Sequence, residues 1–199
     1  MGNRLVITVK VNDEKRFSMY WHWDASCSSE FYYKCRLLSA LDPSDDLETM
    51  LGKVCEDFPN AGLITHDSWW KDDWRSENVQ KEYATEIEVV KQMLSKGIPE
   101  GEDRNEGLIA ITPKAMENME YVAEWASELD LDDPDFCFED CLWLSEDPED
   151  YADDEVLEMP EMMKTIVTKE NAAELAESST KIMDGFYRDP KTNTVYQLC

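Results

Sequence analysis

The chain has 199 residues, with 45 Asp and Glu against 19 Lys and Arg, and a formal net charge of −26 at pH 7. That excess argues against direct binding to DNA, RNA or an anionic membrane surface, all of which attract cations, and favours a basic protein partner. A hydrophobic content of 42% with seven Trp is enough for a packed core and speaks against wholesale disorder.

In chain order, Leu5, Ile7, Val9 and Val11 alternate with Val6, Thr8 and Lys10, a half-buried strand pattern. Asn12-Asp13-Glu14-Lys15 supplies a turn. Phe17, Met19, Trp21 and Trp23 then alternate with Ser18, Tyr20 and His22, so the opening reads as a β-hairpin. A helix is expected from Ser28 or Ser29 to Leu41, stopped by Asp42-Pro43, and a second from Leu47 to Phe58. Pro59 to Arg75 reads as loop or short strand and carries Trp69, Trp70 and Trp74. Adjacent Trp residues do not both face one core from a regular element, so Trp69 and Trp70 are either binding anchors or buried by a folded-back loop.

Ser76 is an N-cap candidate for a long helix to Lys96-Gly97, with Val79, Tyr83, Ile87, Val90 and Leu94 in its apolar stripe. The Gly, Pro and charged residues at 98–107 suggest a linker between domains at 1–97 and 108–199, although one compact domain fits the same pattern. Leu108 to Thr112 suits a short strand. Thr112-Pro113 then opens a helix, with Pro at its first position. Continued at 100° per residue, this helix would place Glu117, Glu120, Glu124 and Glu128 on one face, opposite Ala115, Met119, Val122, Ala126 and Leu129. Thr168 is expected to cap a helix over Lys169 to Met183. Residues 185–188 and 194–198 flank Asp189-Pro190-Lys191-Thr192-Asn193 as a closing hairpin. The fold class is therefore α+β: an N-terminal hairpin packed on helices, a mostly helical acidic half and a C-terminal hairpin.

Charge is distributed unevenly. From Ala115 to Met163 there are 19 Asp and Glu in 49 residues and no Lys, Arg or His. The other 150 residues carry only −7. Beyond Asp130, acidic blocks alternate with Phe136, Phe138, Leu142, Trp143, Leu144, Tyr151, Val156 and Leu157, anchors that a purely solvating tail would lack. Crowding repulsion into one third of the chain weakens the compact state, and a cationic partner would relieve that repulsion.

No phosphate loop, GxGxxG, GxSxG or HExxH motif is present, and no enzymatic activity, cofactor or metal is expected. Asp130-Leu131-Asp132-Asp133-Pro134-Asp135 begins like a calcium loop but has Pro at the fifth position. The run from Asp147 to Glu158 lacks the central Gly. The two His residues sit beside carboxylates in His22-Trp23-Asp24 and His66-Asp67, which leaves a small enzyme or metal-binding protein as the rival from another class. An adaptor or chaperone for a basic protein is a third. Met1 to Val6 lacks an apolar leader, and no apolar run reaches membrane-spanning length, so a cytoplasmic protein is expected. Six Cys without a CxxC pair then suggest reduced structural thiols, with Cys137 and Cys141 sharing a helical face.

Glu30-Phe31-Tyr32-Tyr33-Lys34-Cys35, the acidic segment ending at Met159-Pro160-Glu161, and Gly185-Phe186-Tyr187 carry a family likeness. Through them the chain resembles the acidic DNA-mimic anti-defence proteins of phage and mobile elements, the anti-restriction and anti-CRISPR inhibitors. The matches cover about a fifth of the chain, and Met19-Tyr20-Trp21-His22-Trp23 departs from the anti-restriction pattern. The resemblance implies an inhibitor that occupies a nuclease's DNA- or guide-RNA-binding channel, in a class that is often dimeric. The carboxylates expected to contact the partner are Glu117, Glu120, Glu124, Glu128, Asp130, Asp132, Asp133, Asp135, Glu139, Asp140, Asp147, Glu149, Asp150, Asp153, Asp154 and Glu155.

Overall fold

A computed structural model describes residues 4–22, 24–64, 107–138, 141, 165–179, 186–188 and 195–197. The chain divides into two units, one of Met1–Ala25 with Ala40–Asp133 and one of Ser26–Ser39 with Pro134–Cys199. The fold class is α+β.

The first unit is built on a mixed sheet. Its strands are β1 (Arg4–Val11), β2 (Glu14–His22), β3 (Gly62–Ile64), β4 (Leu108–Ala110) and β5 (Trp125–Asp130), in the order β3-β4-β2-β1-β5. The hairpin β1–β2 is present as the alternation predicts, with Leu5 opposite Trp21 and Ile7 opposite Met19. Its turn is two residues long. Asn12 and Asp13 take positive φ of 53° and 61°, the geometry that two-residue hairpin turns require and that Asn and Asp tolerate best. A register shift after Val9 sets Lys10 opposite Lys15.

Both faces of β1 and β2 are covered, not one. Leu5, Ile7, Val9, Phe17, Met19 and Trp21 are fully buried, and Trp21 meets Phe58 at the end of α2 (Leu47–Asp57) with ring centroids 6.0 Å apart. On the other face Val6, Tyr20 and Ala110 form one cluster with Ala115, Met116 and Met119 of α3 (Pro113–Val122). That helix is the crossover from β4 to β5, and it explains why Thr8 and Ser18 are buried where alternation alone would leave them wet. The strands β3 and β4, on either side of 98–107, pair directly, so this sheet draws on both sides of the expected linker.

Helix starts follow side-chain capping. The Asp46 carboxylate accepts from the Thr49 amide at 2.8 Å at the head of α2, and the Thr112 hydroxyl accepts from the Ala115 amide at 3.2 Å ahead of Pro113. The end of α3 differs from the expectation. The helix stops at Val122, Ala123 turns to ψ 140°, and the Glu124 amide donates to Arg4 O at 3.0 Å. Residues 125–130 then run parallel to β1, from Leu5 opposite Trp125 to Lys10 opposite Asp130. Ala126, Glu128 and Leu129 suit a helix by propensity, but pairing with β1 prevails.

In the second unit, α1 (Cys27–Ala40) starts one or two residues before the expected point, because the Ser26 hydroxyl accepts from the Ser29 amide at 3.2 Å. Phe31 packs edge-on to Phe136 and Phe138, at 6.0 and 5.3 Å. A buried ion pair joins Glu30 and Lys34 at 2.9 Å, with the ammonium 5.5 Å from the Phe136 ring centroid. Lys169 Nζ donates to Leu38 O at 2.7 Å and Ser39 O at 3.0 Å, capping the carbonyl end of α1. Cys137 lies next to the isolated bridge Phe136–Val167 and not on a helix, so it does not share a helical face with Cys141. The described cysteines are thiols and not disulfides, and burial pushes the Cys35 thiol up to about 12. The helix expected after Thr168 is α4 (Ala172–Ser179), and the closing hairpin pairs β6 (Phe186–Arg188) with β7 (Val195–Gln197). The long helix expected at 76–96 and the Trp69, Trp70 and Trp74 group lie outside the described residues.

Gly107 has φ +101°, and a Cβ there would sit 3.0 Å from Trp21 Nε1 and 3.2 Å from Tyr20 O. Gly107→Ala is expected to cost about 1–3 kcal/mol, read as a lower urea midpoint. An unchanged midpoint contradicts this account of the β4 entry.

Candidate partner-binding surface

The β1 strand alternates, so Arg4, Val6, Thr8 and Lys10 share the face that α3 covers. Three cations therefore stand at the edge of an apolar patch: Arg4 and Lys10 on that strand and Lys15 at the start of β2. Each is answered by a carboxylate from the acidic segment. Lys15 Nζ lies 2.6 and 2.8 Å from the two Glu120 oxygens. Arg4 grips Glu124 from its guanidinium at 2.8 Å and from its backbone amide at 2.7 Å. Lys10 Nζ meets Glu128 at 3.2 Å. A fourth pair is local, with Lys114 Nζ 2.7 Å from Glu117 along α3.

Glu120 also reaches inward. The buried Thr8 hydroxyl donates to Glu120 Oε1 at 3.0 Å, and the buried Ser18 hydroxyl lies 2.8 Å from Thr8 Oγ1. This pairing satisfies two hydroxyls under α3 that would otherwise be costly to bury. Electrostatics agree with the geometry. Hydrogen bonding to Arg4 holds the Glu124 carboxyl below the usual carboxylate range, and Lys114 does the same for Glu117.

The continuous carboxylate face expected over Glu117, Glu120, Glu124 and Glu128 is therefore not formed. The helix ends between the second and third of these, and each has a cation of its own chain beside it. Further along, the Asp132 carboxylate accepts from the Asn12 amide at the β1–β2 turn, and Leu131 N donates to Lys10 O at 3.0 Å. Asp130 Oδ1 accepts from the Asp132 amide at 3.0 Å. Asp132, Asp133 and Asp135 are exposed. Asp13, whose side chain is 95% exposed, joins the same corner through the turn and was not singled out from sequence. The remaining expected contacts, Glu139, Asp140, Asp147, Glu149, Asp150, Asp153, Asp154, Glu155, Trp69 and Trp70, lie outside the described residues.

Of the residues proposed for the rival chemistry, His22 and Asp24 are described and His66 and Asp67 are not. His22 Nδ1 lies 2.6 Å from the Tyr20 hydroxyl. Burial raises the Tyr20 phenol to about 12. Among the described residues no group of three or more His, Cys, Asp or Glu is arranged to hold a metal ion, and no helix is long and apolar enough to cross a membrane.

Comparison with protein-family models, curated proteins and solved structures finds no match to this chain.

The double substitution Glu120→Lys with Glu124→Lys sets cations against Lys15 and Arg4 and removes the Thr8 acceptor. It is expected to lower the urea midpoint, and reversing the first pair (Lys15→Glu with Glu120→Lys) recovers more stability than Glu120→Lys alone. Equal midpoints for the single and the swap would show that the pair is ornamental. For acid, a carboxyl whose folded value lies below its unfolded one supports the fold above the unfolded value, about 4.3 for Glu. That support is lost as pH falls through the folded value. Glu124→Gln is therefore expected to show a shallower loss of stability below pH ~4.3 than the parent chain. Superimposable acid limbs would contradict the Arg4–Glu124 assignment.

Proposed function

We propose that the protein inhibits a nucleic-acid-processing enzyme, a nuclease in the first instance, by docking carboxylates into the cationic channel where phosphates would lie. It acts by binding and not by catalysis, in the cytoplasm, as the family resemblance suggests. The observation that carries this is the partition of charge. Among the described residues, Glu117, Glu120, Glu124 and Glu128 face cations of their own chain, and the other fifteen of the nineteen carboxylates between Ala115 and Met163 fall within residues 130–161 of the sequence.

That stretch of 32 residues contains no Lys, Arg or His. One carboxylate per about 2.1 residues corresponds, at a helical rise of ~1.5 Å, to one charge per ~3.2 Å. A DNA strand carries one per ~3.4 Å. The docking surface therefore belongs at Asp130 and beyond, and Glu117, Glu120, Glu124 and Glu128 are better read as the means by which the segment is held to the sheet. Steering by a surface of this density makes association fast and salt-sensitive.

The test is capture from a bacterial lysate on immobilised protein at low and at high salt, followed by competition with duplex DNA and with RNA. The expected result is one or more basic nucleic-acid-binding enzymes, retained at low salt and displaced by nucleic acid. The variant with Asp147→Lys, Glu149→Lys and Asp150→Lys is expected to lose them while keeping the parent's urea midpoint. Retention that neither salt nor nucleic acid reverses favours an adaptor for a basic protein and overturns the mimic. Loss of a catalytic activity on changing His22, with acidic substitutions silent, would favour the enzyme.

A further inference from the structure

We propose that the outer edge of β5 accepts a strand of the cationic partner, one that carries bases on alternate residues. This rests on the docking function above and adds to it a mode of attachment within the first unit. The strand stands at one end of the order β3-β4-β2-β1-β5, and among the described residues no strand pairs with its other side. Leu131 N donates to Lys10 O at 3.0 Å, so in this register Ser127 and Leu129 also turn their peptide groups to β1. The peptide groups of Ala126, Glu128 and Asp130 therefore point outward. Ala126 and Glu128 are exposed although Val6 and Thr8, opposite them on β1, are buried, so the edge stands open.

An open strand edge six residues long is a template, because only another extended chain meets its amides and carbonyls together. Charge then selects the chain. Lys10 Nζ lies 3.2 Å from Glu128 and 3.7 Å from Asp13, and Asp130, Asp132 and Asp133 crowd the same end of the strand. Of the other bases near the hairpin turn, Lys15 is held by Glu120 and Arg16 acts on Asp46. Five described carboxylates thus share the Lys10 ammonium. The even-numbered residues of β5 share the α3 face, so a docked strand sets its bases beside Glu128 and Asp130 and its intervening apolar residues beside Trp125 and Leu129. The same carboxylates repel the identical edge of a second copy.

The probe is an acetylated and amidated octapeptide of alternating Lys and Val, added to the full chain at low salt. In the free protein the Ala126, Glu128 and Asp130 amides are expected to exchange with deuterium fast, and the Ser127 and Leu129 amides slowly. The peptide is expected to slow the first three. Two analogues, N-methylated at every Lys or at every Val, keep the charge and block one edge each. One of them is expected to bind at least about tenfold more weakly than the unmodified peptide, because its methyl groups face β5, and the other to match it. Equal affinity of all three overturns the strand edge and leaves the docking function standing, since charge alone then binds. Slowing of the three amides by an alternating Glu and Val peptide overturns the cationic occupant. So does slow exchange in the free protein that quickens on dilution, the sign of a second copy on this edge. Failure of every cationic peptide to bind at low salt overturns both the edge and the docking function.

Discussion

Parallel pairing between β1 and β5 governs what the acidic half of the chain can do. Once the Glu124 amide bonds Arg4 O, the chain cannot continue as helix, and the next six residues are laid along a strand that carries Arg4 and Lys10. Carboxylates that would have formed one helical ridge are instead dealt out one to each cation. The ion pairs are partly exposed and individually weak. Their weight lies in number and in the apolar cluster beside them, where Val6, Tyr20, Met116 and Met119 exclude water. Thr8 and Ser18 add the constraint of buried hydroxyls that need the Glu120 oxygen.

One consequence is an uneven distribution of carboxylates along the sequence. Among the described residues, Glu120, Glu124 and Glu128 meet Lys15, Arg4 and Lys10 beside the sheet, while the sequence crowds fifteen more carboxylates into residues 130–161. The β1–β2 turn marks the crossing point, because the Asn12 amide holds Asp132 while Asp13 stays open to water.

Much of the scaffold could be read from residues alone. The hairpin was legible because its apolar residues alternate and Asn12-Asp13 suits a tight turn. The start of α3 was legible because Thr112-Pro113 is both cap and first turn. The end of α3 was not, since Trp125 to Asp130 contains good helix formers and its pairing partner lies 120 residues away. The same distance hid the roles of Arg4, Lys10 and Lys15. Lys10 stood in view as an outward position of β1, but what faced it depended on the crossover. Thr8 was placed outward for the same reason and is buried. The acidic charge itself was plain, and only which carboxylates bond Arg4, Lys10 and Lys15 required coordinates.

The most direct test is carboxylate footprinting: carbodiimide coupling of an amine to exposed Asp and Glu, read residue by residue by mass spectrometry, with and without nona-arginine. Slow labelling of Glu120 and Glu124 in the free protein is predicted, with peptide-induced protection appearing within residues 130–161. Protection centred on Glu120, Glu124 and Glu128, with residues 130–161 labelled equally in both samples, would contradict the division between structural and docking carboxylates.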